Sequence, residues 1–75
     1  MIIQDIITIV SRVLEIGPNT IDKNTNILEF GDSLSQVEII IELEKHFKIE
    51  IPDSEIEKLT TINKIYKYIK GTIKK

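Results

Sequence analysis

The residues best placed for chemistry are Gly31-Asp32-Ser33-Leu34, standing where a polar stretch gives way to a long apolar and acidic run, Leu34 to Phe47. A serine at the head of a helix presents its hydroxyl beside unsatisfied backbone amides and the positive end of the dipole, a place that can hold a phosphodiester. The same residues have a structural use. Either Asp32 or Ser33 can cap the helix, and Ser33 with Gln36 has the spacing of a Ser-x-x-Gln capping box. Nothing internal can activate the hydroxyl as a nucleophile. The chain has one histidine and no cysteine, and His46 lies thirteen residues along the same predicted helix, about 20 Å from Ser33 at a rise of about 1.5 Å per residue. His46 reads as a C-terminal dipole partner or an i,i+4 neighbour of Glu42 rather than a metal ligand. Asp53, Glu55 and Glu57 lack the Asp-x-Asp-x-Asp-Gly framework of a calcium loop, so no metal is expected.

The elements that must position Ser33 read as helices separated by turns. Ile3, Ile6, Ile7, Val10, Val13 and Leu14 recur at helical spacing, predicting a first helix over about 2–15 that ends at Gly17-Pro18-Asn19. Residues 16–32 form a long polar loop in which Ile16, Ile21, Ile27, Leu28 and Phe30 are spaced as anchors onto a core. In the second helix Val37, Ile40, Ile41, Leu43 and Phe47 make a broad apolar face, with Ser35, Glu38, Glu42 and Lys45 towards solvent. Ile51-Pro52-Asp53 breaks the chain; Ser54 to Leu59 then make a short helix, with Ser54 and Glu57 in capping-box spacing. The last helix runs from Ile62, capped by Thr60 or Thr61, through Ile65, Tyr66 and Ile69 to Gly71.

Seventy-five residues, 41% apolar and 29% charged, fit one small globular domain over 1–75, near the lower size limit for a core without disulfides. The absence of cysteine excludes a disulfide framework, a thiolate metal site and a thiol nucleophile of the chain's own. The Ile-rich start, Met1 to Leu14, is interrupted by Gln4, Asp5, Thr8, Ser11 and Arg12 and lacks the marks of a signal peptide, so a cytoplasmic protein without membrane insertion is expected. Residues 1–61 carry twelve acids against five bases, a net of −7, whereas residues 62–75 carry five lysines and no acid. Such an acidic body suits basic protein partners and repels nucleic acid. The lysines read as the solvated face and favourable C-terminal charge of the last helix.

From Asp32 through Ile69 the chain resembles the acyl carrier protein family without a gap. Its attachment motif stands as Asp32-Ser33-Leu34 and the Val-Glu pair one turn later as Val37-Glu38; Glu44, Phe47, Glu50-Ile51-Pro52-Asp53, Glu57-Lys58 and Thr60-Thr61 fall in the family's places. The resemblance implies an all-α, antiparallel four-helix bundle of three longer helices and one short one, with a long loop between the first two. It also implies a carrier rather than an enzyme. Ser33 is the implied attachment point of 4'-phosphopantetheine, transferred from coenzyme A by a phosphopantetheinyl transferase, with Asp32 and Leu34 flanking it. The arm's thiol then carries acyl groups as thioesters. Leu34, Val37, Glu38, Ile41, Glu44 and Lys45 are the implied docking face for acyl-transferring and condensing enzymes with basic patches, the carrier itself being monomeric. Leu43, Ile51, Ile56, Leu59, Ile62, Ile65 and Tyr68 are the implied acyl pocket.

Fatty acid carriers usually show Leu-Gly-x-Asp-Ser before the helix, one residue longer than Phe30-Gly31-Asp32-Ser33. The residue after Asp-Ser-Leu, commonly acidic, is Ser35, and Lys45 and His46 replace acids at the end of the second helix. Ile56 and Ile65 stand where fatty acid carriers have small residues, which leaves a tightly packed core less room for a long chain. Fatty acid synthesis is the first expectation. A specialised carrier of short or polar groups, for polyketide, nonribosomal-peptide or surface-polymer synthesis, is the second. A non-carrier interaction module of the same fold is the third.

Overall fold

The apolar spacing produces four α-helices in the computed structural model, which describes residues 2–73: α1 (Ile2–Leu14), α2 (Ser33–Phe47), α3 (Asp53–Ile56) and α4 (Ile62–Ile73). The fold is all-α. Lys74 and Lys75, counted in the basic tail, and Met1 lie outside the described residues. Ile6, Ile9 and Val10 of α1, Ile39, Ile40 and Leu43 of α2, and Ile62, Ile65 and Ile69 of α4 meet in one core, closed by Ile21, Ile27, Ile51 and Leu59 from the connections. β-Branched isoleucine is a mediocre helix former on its own. Burial of the apolar stripe, at roughly 1.5–3 kcal/mol for each fully buried side chain, is what holds these segments helical.

Helix ends differ from the sequence expectation in instructive ways. Gly17-Pro18-Asn19 does not end α1; Glu15 does, at φ 58°, and the Ile16 amide closes back onto the Ser11 carbonyl at 3.1 Å. Lys48, at φ 56°, ends α2 in the same manner, with the Ile49 amide on the Glu44 carbonyl at 3.2 Å. In each case a left-handed non-glycine residue is followed by a half-buried isoleucine, the apolar contact that accompanies this type of stop. Gly71 does not end α4, which continues to Ile73. Thr61 rather than Thr60 starts that helix, its hydroxyl accepting from the Lys64 amide at 3.2 Å. The short helix covers Asp53–Ile56 rather than Ser54–Leu59 and has no side-chain cap, so the Ser54–Glu57 capping box does not form.

The long loop is pinned mainly through backbone. Pro18–Thr20 and Ile27–Glu29 form single 3₁₀ turns. Between them Asp22 accepts from the Asn24 amide at 2.8 Å and Asn26 from the Leu28 amide at 2.9 Å. Asn26 and Thr61 form an isolated antiparallel bridge. Around it the Ile27 amide donates to the Thr60 carbonyl at 2.8 Å and the Asn63 amide to the Lys23 carbonyl at 2.8 Å. Ile21 and Ile27 are the buried anchors and Ile16 is half-buried, but Leu28 and Phe30, also expected as anchors, each remain 42% exposed.

Gly31, the residue that brings this loop to α2, is fixed by close approach. A Cβ there would lie 2.7 Å from Leu14 Cδ2 and 2.8 Å from Ser35 Cβ. The glycine therefore serves the packing of α1 on α2. It also accounts for a small Ser35 where a larger acid is usual. Gly31→Ala is expected to cost about 1–3 kcal/mol, as overpacking does. Gly71→Ala, where an added methyl meets nothing within 4 Å, should instead stabilise the helix by up to about 1 kcal/mol. Urea midpoints that move in opposite directions meet this expectation; equal midpoints contradict it.

Candidate functional site

Ser33 is the first residue of α2 and is exposed. The helix is capped by its neighbour: Asp32 has extended backbone, and its Oδ1 accepts from the Ser35 amide at 3.0 Å. The Ser33–Gln36 capping box is not made, because Gln36 faces inward. The Asp32 carbonyl takes the Gln36 amide at 3.1 Å, the first α-helical bond. Asp32 thus does the work that either residue could have done, and Ser33 remains exposed at the head of α2. The Ser35 amide is the chief reason that the Asp32 carboxyl sits below its usual range. Partial desolvation opposes it, and the Ser35 hydroxyl and neighbouring amides add to the lowering.

The residues expected around Ser33 divide into an outer and an inner set. Leu34 is 65% exposed, Val37 39% and Ile41 43%, with Glu38 and Lys45 exposed beside them. Val37 and Ile41 therefore do not belong to the buried face that periodicity assigned them; Ile39 and Gln36 occupy it with Ile40 and Leu43. Leu28 and Phe30 of the loop are exposed as well. Arg12 and Val13 of α1 meet Glu38, Ile41 and Glu42 around a recess of about 210 Å³. Lys45 Nζ lies 3.8 Å from Glu42. Glu44, three residues after Ile41, is half-buried, and its Oε2 accepts from the Ile51 amide at 2.8 Å. His46 pairs with neither Glu42 nor a metal cluster. Its Nε2 lies 3.6 Å from Asp5 of α1 and its ring meets Phe47 edge-on. Among the described residues no group of three or more His, Cys, Asp or Glu side chains could hold a metal.

Of the expected acyl-pocket residues, Leu43, Ile62 and Ile65 are 0% exposed, Leu59 3% and Ile51 5%. Ile56 and Tyr68 are half-buried against them. Sequence reasoning missed Gln36, whose Nε2 donates to the Ile56 carbonyl at 2.8 Å and the Leu59 carbonyl at 3.2 Å. The available signal was a polar residue one turn after Ser33, flanked by Val37 and Ile39–Ile40, at a position facing the core.

Because the folded chain holds the Asp32 proton more weakly than the unfolded chain, the contribution of this carboxylate is full above the ordinary value of about 3.9. It is lost as pH falls through the lowered folded value. Asp32→Ala should therefore have a lower urea midpoint than the native chain at neutral pH, and the gap should close in acid. A gap that stays constant into acid contradicts the charged cap.

A family model described as the phosphopantetheine attachment site matches residues 4–69. An acyl carrier protein of Campylobacter fetus is 40% identical over 65 residues, 84% of either chain. One from Campylobacter jejuni is 40% identical over 67 residues, 87% of each. One from Buchnera aphidicola is 41% identical over 69 residues, covering 89% of this chain and 87% of that protein. With its four helices, its serine at the head of α2 and these relatives aligned over most of both chains, the chain belongs to the acyl carrier proteins, the family that bears covalent 4'-phosphopantetheine.

Proposed function

We propose that Ser33 Oγ is the attachment atom for 4'-phosphopantetheine and that the chain carries acyl groups as thioesters on that arm. The observation that supports this most strongly is the division of labour at the head of α2: Asp32 holds the Ser35 amide, which leaves the Ser33 hydroxyl available without loss of the helix cap. The group fits the residues present. Its phosphodiester would lie beside the leading amides and the positive dipole end of α2. The nearby Asp32 carboxylate is exposed, so solvent screens the two negative charges from one another. The arm supplies the thiol that a chain without cysteine lacks.

Loading needs no base from this chain. Ser33 contributes the oxygen of the new phosphorus–oxygen bond, the pyrophosphate linkage of coenzyme A breaks with release of adenosine 3',5'-bisphosphate, and the transferase takes the hydroxyl proton. In this role the chain carries and does not catalyse. Leu34, Val37 and Ile41, ringed by Glu38 and Glu42, suit weak and fast docking on partners with basic rims, namely the transferase and the acyl-transferring and condensing enzymes. Lys45, with Glu42 already beside it, offers those partners a mixed charge at one end of this face. No described helix is long and apolar enough to cross a membrane.

Fatty acid synthesis is the first reading, as the usual role of an acyl carrier protein. The bulk of Ile56 and Ile65 favours short or polar cargo within it, or a specialised polyketide, nonribosomal-peptide or surface-polymer pathway. Incubation with a promiscuous phosphopantetheinyl transferase and coenzyme A, read by intact mass, tests the attachment. The native chain should gain one arm and Ser33→Ala none. Because Ser33 is not the cap, Ser33→Ala should unfold within about 0.5 kcal/mol of native. Absence of a mass gain with an active transferase would overturn the proposal in favour of a non-carrier interaction module.

A further inference from the structure

Two polar side chains of α2, the buried Gln36 and the half-buried Glu44, hold the segment that contains α3. Glu44 Oε2 accepts from the Ile51 amide at 2.8 Å, on the N-terminal side of α3. Gln36 Nε2 donates to the carbonyls of Ile56 and Leu59, at 2.8 and 3.2 Å, on its C-terminal side. The amide orientation of Gln36 is fixed by chemistry, since two carbonyl oxygens can be met only by the NH₂ group. Gln36 is 7% exposed and lies three residues after Ser33, so it is the first buried side chain inward from the proposed attachment point. Between these two ties α3 has only four residues, no side-chain cap and no fully buried residue. Besides these ties the segment is held by Ile51 and Leu59 at its ends and by the half-buried Ile56, and short elements with few buried contacts are the first to open locally.

We infer that Gln36 is a latch on the seam between α2 and α3, and that it biases the carrier towards short or polar cargo. This rests on the proposal that Ser33 bears the arm. A long apolar chain reaching from Ser33 towards Leu43, Ile62 and Ile65 must part Gln36 from its two carbonyls, and it has no donor to offer them in exchange. The Leu59 carbonyl would then be left unpaired beside hydrocarbon, an arrangement that proteins avoid, and the Ile56 carbonyl would keep only the Leu59 amide at 3.1 Å. A short or polar group displayed at the surface leaves the latch closed. Gln36 is thus a positioning and specificity residue that touches neither the attachment bond nor the reacting thioester.

The test uses the arm-bearing protein loaded with acyl groups from acetyl to tetradecanoyl, in the native chain and in Gln36→Met, which keeps length and removes the donors. Melting temperature of the native chain should be flat with acyl length, whereas that of Gln36→Met should rise as the chain lengthens. A steady rise in the melting temperature of the native chain with acyl length overturns the latch, and this outcome needs no variant that folds. Hydrogen exchange on the unloaded proteins gives a readout independent of loading. The Lys58 and Leu59 amides should exchange several-fold faster in Gln36→Met while those of α1 and α4 keep their rates. Equal rates at Lys58 and Leu59 overturn the latch. Failure to load Ser33 would show as an unchanged mass and bear on the attachment alone.

Discussion

The hydrogen bond from the Ser35 amide to Asp32 is the contact on which the rest of the site depends. A helix must satisfy its leading amides, and the residue that does so cannot offer the same atom for chemistry. Here the carboxylate of Asp32 takes that task and the serine next to it is spared. The arrangement needs the chain to arrive at Asp32 from one direction only. Gly31 permits this by fitting against Leu14 and Ser35 where no Cβ has room, and the Gly31 amide is itself tied to the Ile27 carbonyl at 3.1 Å. Ile27 in turn is buried and bonded through its amide to Thr60. A chain of contacts thus runs from the start of α4 through the loop to the head of α2.

Helix α2 serves two purposes because it has two different apolar faces. The inner one, Ile39, Ile40 and Leu43, joins α1 and α4 in the core, and Gln36 and Glu44 at its margins hold the segment after the helix. The outer one, Leu34, Val37 and Ile41, remains exposed beside carboxylates. Several apolar side chains left facing solvent in so small a protein carry a cost in solubility that function can justify. The inner polar residues and the outer apolar residues both break the simple binary pattern, and such departures concentrate where a protein does something other than fold.

Most of the helical architecture was legible because isoleucine at three- and four-residue spacing survives any local detail. Its limits show at particular positions. In α2 apolar residues cover so much of the circumference that periodicity could not decide between Val37 and Ile39 for the core. The Ser33–Gln36 capping box was plausible on spacing, but a glutamine one turn into a helix can also satisfy carbonyls elsewhere, here twenty and twenty-three residues away. Glu15 and Lys48 end their helices in a conformation usually given to glycine, and the half-buried isoleucine after each was the only sequence clue. Gly71, by contrast, had the residue type of a stop and not the geometry. Glu44 matched the family's place on the sequence while its carboxylate is spent on Ile51, a partner that no local pattern announces.

If the cap and the attachment hydroxyl are separate, loading Ser33 leaves the head of α2 intact. Hydrogen exchange at the Ser35 amide, compared between the unloaded and the arm-bearing protein, tests it most directly. Equal protection is expected in the two forms, with Asp32 holding that amide in both. Fast exchange at Ser35 after loading, with the remainder of α2 protected, would show that the serine and the cap are one device and would contradict the account.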